Sequence, residues 1–186
     1  MKNSFLQHGA SLLEVLVAML LLSFGMLALG IMLSFSVQLP KLAGYRATAT
    51  TLASSHIERM RANAAEFQKL DGRYTAEPLS YDGTFKTIAL ADCIYDQCSP
   101  AALAAMDNAA TQRAVRQALP AGGVLVTCDA GTGPCGSARY GNIWIVWQDP
   151  GTAAALSPAS PDNCPSQVTQ SHTNPVPRCL YVRFKI

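Results

Sequence analysis

The chain has 186 residues, of which 49% are hydrophobic and only 14% charged, and its formal net charge is +2. That length allows one modest domain beside any segment spent elsewhere. The charge is small and scattered, which excludes a nucleic-acid surface built on a basic stripe or patch.

Residues 1–9 form a short polar leader ending in Gly9. It is followed by Ala10-Ser11-Leu12-Leu13-Glu14-Val15 and an apolar run with no further charge until Lys41. Glu14 is the one charge in that stretch. A carboxylate within a membrane costs roughly 2.5–3.5 kcal/mol on insertion scales and persists mainly where it has a task. Its position near the start of the run, not the middle, assigns the task to one end of a helix. As a helix, Val15 to Pro40 is about 39 Å long, more than the ~30 Å hydrocarbon core of a bilayer, so it can span with tilt. A secretory signal peptide needs a basic leader, a shorter apolar core and a small-residue cleavage site after it. Here the run is too long, Lys2 is the only basic residue before it, and no such site follows Val37. Lys41 and Arg46 outweigh Lys2, so charge alone leans towards the wrong orientation, although long domains translocate largely regardless of it.

After Pro40 a second helical stretch is predicted from Ala43 to Leu70. Leu52, His56, Met60, Ala64 and Phe67 recur at spacings of three or four, leaving Glu58, Arg59, Arg61 and Lys69 for other faces. The simplest geometry is one long helix, its first half in lipid or protein and its second half on a globular head. Pro40 is expected to kink it, and Gly25 and Gly30 are further weak points.

Asp71-Gly72 and Asp82-Gly83 read as turns. Ser99 is a plausible N-cap, with Pro100 at the first position of a helix running to about Leu119. Three strands follow: Gly123–Thr127, Asn142–Gln148 and Cys179–Ile186. In the second, Ile143, Ile145 and Trp147 share one face and Trp144 and Val146 the other; in the third, Leu180, Val182 and Phe184 alternate with Tyr181, Arg183 and Lys185. The pattern is α+β, an antiparallel sheet with one face packed on the amphipathic helix. Between the last two strands, Asp149 to Arg178 holds Pro150, Pro158, Pro161, Pro165, Pro175 and Pro177. So long a connection is usually functional or disordered.

All six cysteines, Cys93, Cys98, Cys128, Cys135, Cys164 and Cys179, lie after the apolar run. An even count in an exported domain reads as disulfides, and their spacings lack the tight pairs of common structural zinc sites. They favour a periplasmic or extracellular head. Of the fifteen possible pairings, short local loops select Cys93–Cys98, Cys128–Cys135 and Cys164–Cys179.

No catalytic constellation emerges, so no enzymatic activity, metal or cofactor is expected. His8 is in the leader, His56 on the apolar face of the second helix and His172 in the Pro-rich segment. Trp144 and Trp147 point to opposite faces of one strand and cannot form a single stacking platform. Glu58-Arg59-Met60-Arg61 reads as a solvated helix face, and Gly131-Thr132-Gly133-Pro134 as a turn, because no lysine and helix follow it in the P-loop manner.

One chemical event has a legible site, proteolysis between Gly9 and Ala10. Glycine before the bond leaves room for a protease, and cleavage frees an amine four residues before Glu14. Positions i and i+4 share a helix face. The carboxylate could therefore pair with its own terminus or with that of a neighbouring chain and set axial register. The alternative is a plain anchor with an incidental glutamate.

The leader ending in glycine, the glutamate at the fifth mature position, the run Leu12-Leu13-Glu14-Val15-Leu16-Val17-Ala18 and the cysteine-bearing C-terminal sheet resemble type IV pilins and pseudopilins. More narrowly, three stretches resemble PilV-type minor pilins, the type IV pilus modification proteins. They are Ala53-Ser54-Ser55-His56-Ile57-Glu58-Arg59-Met60-Arg61-Ala62-Asn63, the path from Cys98-Ser99-Pro100-Ala101 to Leu119-Pro120-Ala121-Gly122-Gly123, and Trp144-Ile145-Val146-Trp147. The resemblance spans most of the chain and is weakest from Asp149 to Arg178. It implies the pilin fold, with residues 1–9 removed by a prepilin peptidase, 10–40 forming the transmembrane and assembly helix, and 41–186 the periplasmic head. It also implies a minor pilin of the type IV pilus, inserted in the inner membrane and then carried in the pilus on the cell surface. There it would help initiate assembly in a tip complex serving twitching motility and adhesion. The partners implied are the membrane, other minor pilins, the major pilin and a large tip adhesin. Ala10 is the N-methylation candidate, at a position where the family usually carries phenylalanine or methionine. Two alternatives stand: a type II secretion pseudopilin of the I type, whose resembling chains are usually shorter and lack the long cysteine-tied loop, and a membrane-anchored periplasmic enzyme or receptor, for which no site speaks.

Overall fold

A computed structural model describes residues 11–69, 72–76, 80–81, 87–89, 91–94, 96–129, 135, 140–149, 162, 164–171 and 176–186. The chain forms two compact units, Met1–Lys41 and Leu42–Ile186. Helix α1, Leu12–Ala62, begins in the first and ends in the second.

In the first unit α1 opens on the Ser11 carbonyl, which accepts from the amides of Glu14 (2.9 Å) and Val15 (3.2 Å). Two of its polar side chains bond within the helix: Ser23 Oγ donates to the Met19 carbonyl at 2.8 Å, and Gln38 Nε2 to Ser34 Oγ at 3.2 Å. The apolar residues from Leu12 to Leu39 are exposed within this unit, Leu12 by 82% and Met32 by 71%. It is a helix long and apolar enough to cross a membrane. Pro40 lies inside α1 without ending it, although its ring nitrogen has no hydrogen to donate to the turn before.

The second unit is α+β. After α1 come α2 (Ala64–Phe67), α3 (Arg73–Ala76), α4 (Pro100–Ala118), β1 (Gly123–Cys128), β2 (Tyr140–Trp147), α5 (Ser166–Ser171) and β3 (Arg178–Lys185). The strands form an antiparallel sheet in the order β1-β2-β3. Registers such as Val126↔Ile143↔Val182 and Val124↔Ile145↔Leu180 set apolar residues from all three strands on one face. That face packs on the stripe Ala49, Ala53, Ile57 and Met60 of α1, forming one core with Val124, Val126, Ile143, Ile145, Trp147 and Phe184. The two alanines let the helix lie close to the sheet. Each larger apolar side chain buried there contributes about 1.5–3 kcal/mol.

The expected helical stripe needs two corrections. Its centre shifts: Ala49, Ala53 and Ile57 are buried beside His56 and Met60, while Leu52 is only partly buried. The helix also stops at Ala62 rather than Leu70. The break is at Asn63, whose backbone leaves the helical region (φ −122°, ψ 44°). Its side-chain Nδ2 donates to the Pro100 carbonyl at 2.8 Å and lies 3.4 Å from the Tyr74 hydroxyl. A short amide that bonds elsewhere competes with helix continuation. The chain then resumes as α2, aiming Phe67 at the sheet.

There Phe67 meets Phe184 edge-on, ring centroids 5.8 Å apart, above Gly141. A Cβ on Gly141 would lie 2.4 Å from the Phe184 ring and 2.7 Å from that of Phe67. Gly141→Ala is therefore expected to destabilise the head by about 1–3 kcal/mol, the usual cost of overpacking, read as a lower urea midpoint at unchanged slope.

Ser99 caps α4 as expected, its side chain accepting from the Ala102 amide at 3.1 Å, with Pro100 in the first turn. The Pro-rich connection contains α5, an element the sequence pattern did not suggest. Val168 of α5 is buried with Tyr81, Ala121, Val146 and Cys179 in a second, smaller cluster on the other face of the sheet.

The sulfurs pair as Cys93–Cys98, Cys128–Cys135 and Cys164–Cys179, with Cα separations of 5.3, 5.5 and 5.3 Å. Cys128 and Cys135 belong to the main core, and Cys179 to the second cluster. Removing the middle bridge as Cys128→Ser/Cys135→Ser is expected to cost about 2–3 kcal/mol through the freed unfolded chain, visible as a lower melting temperature.

Candidate functional site

Glu14 lies in the first turn of α1, exposed, on the helix that carries the uninterrupted apolar surface. A carboxylate in a first helical turn faces the positive end of the helix dipole, worth about 0.3–1 kcal/mol at an exposed position. Among the described residues Glu14 has no ion-pair partner. Gly9 and Ala10, the proposed scissile pair and its amine, lie outside the described residues, as do His8, His172 and the Gly131–Pro134 turn.

The charged run on the second half of α1 splits in function. Glu58 and Arg61 pair on the exposed face at 2.6 Å, and Arg61 Nε also donates to the Lys185 carbonyl at 3.0 Å, tying α1 to the end of β3. Arg59 instead turns to Asp107 of α4, 3.4 Å away.

That contact belongs to a buried polar network the sequence reading missed. Asp107 accepts from the Tyr74 hydroxyl at 2.7 Å, Asn108 Nδ2 donates to the Arg73 carbonyl at 2.9 Å, and Thr111 Oγ1 meets His56 Nδ1 at 2.8 Å. Thr111 follows Asp107 by four residues and Asn108 by three, so it shares a face of α4 with each of them. The signal was present as a polar stripe in an alanine-rich helix. Glu66 is likewise buried, capping the Arg73 amide and pairing with Lys69 at 2.6 Å. This network ties α1, α3 and α4 together.

Burial holds the His56 imidazole down to about 4, helped by the charge of Arg59 and opposed by a hydrogen bond with Asn108. Burial and the bond to Asp107 push the Tyr74 phenol up. His56 is thus a neutral structural residue. Its folded value lies below its unfolded value of 6.5, so below that pH the unfolded chain takes up a proton that the folded chain refuses. The His56 contribution to stability is therefore complete above neutrality and is lost as pH drops from 6.5 towards 4, by about 3 kcal/mol in all. Melting curves across that interval should show this slope, and His56→Gln should flatten it.

A second charged cluster anchors the Pro-rich connection. Arg178 Nε lies 3.3 Å from Asp149 Oδ2 and 3.1 Å from Asp162 Oδ2, and Arg46 of α1 reaches Asp162 Oδ1 at 3.0 Å. Both carboxylates are buried and each is held by guanidinium. On the outer face of the sheet, Trp144 packs on Tyr181 (5.1 Å), the Arg183 guanidinium covers Tyr140 (4.6 Å), and Arg183 pairs with Asp129. That pairing draws the Asp129 carboxyl below its ordinary range, first through the Arg183 hydrogen bond and then through Asn142. Trp147 faces the main core instead, as the strand alternation requires.

Among the described residues no three metal-binding side chains converge. In comparisons with family models, curated proteins and solved structures, no significant match to this chain was found.

Proposed function

We propose that this chain is a minor pilin, a low-copy structural subunit of the type IV pilus with the pilin fold. In this reading it is cut after Gly9 by a prepilin peptidase and helps start pilus assembly with other minor pilins. One observation carries the proposal: a single carboxylate, Glu14, opens α1, and no other charge follows it in the apolar stretch as far as Pro40. A simple anchor gains nothing from that carboxylate, which makes insertion harder by roughly 2.5–3.5 kcal/mol. A subunit that stacks with copies of similar helices gains a partner for each newly freed amine. Two further features support the reading. The helix continues into the core of a disulfide-bonded head, and among the described residues of that head His56, Tyr74, Asp107 and Thr111 are engaged with one another or with neighbouring side chains.

The test begins with processing. Intact mass of the mature protein from native membranes is expected to lack residues 1–9, and a bulky residue in place of Gly9 to leave the precursor uncut. Deletion of the gene is expected to reduce surface pili and twitching motility strongly while major pilin stays in the inner membrane. A deletion strain with normal pili that fails to secrete a folded exoprotein would replace this reading with the pseudopilin one.

A further inference from the structure

The second apolar cluster covers one half of the sheet's outer face, where Val146 and Cys179 lie with Tyr81 and Val168. The other half carries Tyr140, Asn142 and Trp144 from β2 beside Arg183 and Tyr181 from β3. Strand alternation puts these five on one side, and the register sets Asn142 opposite Arg183 and Trp144 opposite Tyr181. Asp129, just past the end of β1, joins them. The polar members form one chain of bonds. The Tyr181 hydroxyl donates to Asn142 Oδ1 at 2.8 Å, Asn142 Nδ2 donates to Asp129 Oδ1 at 3.0 Å, and Arg183 pairs with Asp129 Oδ2. The Arg183 guanidinium also lies over the Tyr140 ring. Cross-strand contacts of this kind steady a sheet, yet they leave Tyr140 exposed by 41% and Tyr181 by 36%. The result is two aromatic posts, Tyr140 and the Trp144–Tyr181 pair, about 13 Å apart along the strands at ~3.3 Å per residue. A fixed polar strip lies between them.

We infer that this patch binds a short, uncharged oligosaccharide, and that β-linked rings with equatorial hydroxyls are the class it fits. The charges select the ligand. Asp129 and Arg183 neutralise each other, so the strip attracts neither an anion nor a cation as a lone charge would. Among the described residues of the strands, the one further charge that alternation puts on this face is Lys185. It lies at the outermost register and is exposed, where salt screens it. A nucleic acid or an anionic membrane calls for several unpaired cations. A stable protein partner, a second copy included, uses about 20–30 residues on each side, far more than these six. What the patch offers instead is aromatic surface beside a planar carboxylate and a planar guanidinium. A pyranose with equatorial hydroxyls matches both. Its faces show only axial C–H, which the negative face of an aromatic ring attracts, and its rim hydroxyls both donate and accept, as the Asp129 and Arg183 groups require. Bonds already made hold these side chains in place, so little rotamer freedom is lost on binding. The site does not rest on the reading of the chain as a filament subunit.

The test is isothermal titration calorimetry on the full-length chain in a detergent without a sugar headgroup. The probes are cellotriose, its N-acetylated counterpart triacetylchitotriose, and trigalacturonate as the anionic comparison. At least one of the two neutral sugars is expected to bind saturably, with a Kd of about 1 mM or tighter, and trigalacturonate to bind at least about tenfold more weakly. Tyr140→Ala and Tyr181→Ala are each expected to weaken the neutral sugar about tenfold, the scale of one aromatic contact, while the melting temperature stays close to that of the wild type. Tyr140→Phe keeps the ring and should keep the binding, which separates loss of the post from loss of the fold. Asp129→Asn leaves Arg183 without its counter-charge and should shift the preference towards trigalacturonate by about tenfold. Three results would overturn the inference: no saturable binding of either neutral sugar, tyrosine-to-alanine variants that bind as the wild type does, or a wild-type chain that prefers trigalacturonate.

Discussion

Glu14→Ala is expected to leave membrane insertion and leader cleavage intact and to lower the chain's share in sheared pili, relative to membranes, by about tenfold or more. Insertion should become easier, because the substitution removes a group that costs roughly 2.5–3.5 kcal/mol in the bilayer. Assembly should suffer because the carboxylate's proposed partner is a terminal amine on another chain. Breaking a pair in low dielectric leaves the remaining charge unmatched, which costs about 3–5 kcal/mol when the pair is fully buried. The first turn of α1 lies at one end of the apolar stretch, where water reaches more readily, so the lower end of that range applies. Even 1.4 kcal/mol is tenfold in an equilibrium. Glu14→Asp keeps the charge on a shorter stem and should recover part of the incorporation, whereas Glu14→Gln should resemble alanine. Normal levels of Glu14→Ala in pili would remove the register role.

The apolar half of α1 and the three strands were legible in the sequence because each rests on one dominant force with a simple period. No charge between Val15 and Pro40 makes a long apolar helix the economical solution. The alternation of Ile143, Ile145 and Trp147 against Trp144 and Val146 assigns faces that tertiary packing then keeps. The end of α1 was not legible. Nothing in the string 61–70 marks Asn63 as a break, since its cause is a hydrogen bond to Pro100, 37 residues away. Asp107 was missed for the same reason: a lone carboxylate on a helix reads as solvated until Tyr74 and Arg59 are brought to it. Helix α5 escaped because six residues carry too little periodicity, and only the second cluster explains why Val168 is buried. For the candidate site, Glu14 was legible as an anomaly of charge, whereas the outer-face patch required the cross-strand register to bring Asn142 and Arg183 to Asp129.

Trp147→Ala should be the most damaging single change in the head. Its side chain is 1% exposed and sits in the main core beneath α1, and its indole N–H donates to Asp149 Oδ1 at 3.0 Å. Removing it opens a cavity the surrounding helix and sheet can only partly close, costing about 3–5 kcal/mol. For a domain of this size, each kcal/mol shifts the melting temperature by roughly 2–4 °C or somewhat more. The hydrogen bond and the volume can be separated. Trp147→Phe retains most of the apolar contact, and Asp149 keeps Arg178 at 3.3 Å, so only about 1–2 kcal/mol should be lost. Trp144, on the opposite face and only partly buried, supplies the internal control. Trp144→Ala should cost less than half as much as Trp147→Ala, because part of its surface already meets water and the cavity term shrinks accordingly. Equal losses at the two positions, measured by urea unfolding of the full chain in detergent, would mean that the two faces of β2 are equally buried and that the assignment of the core to the α1 side is wrong.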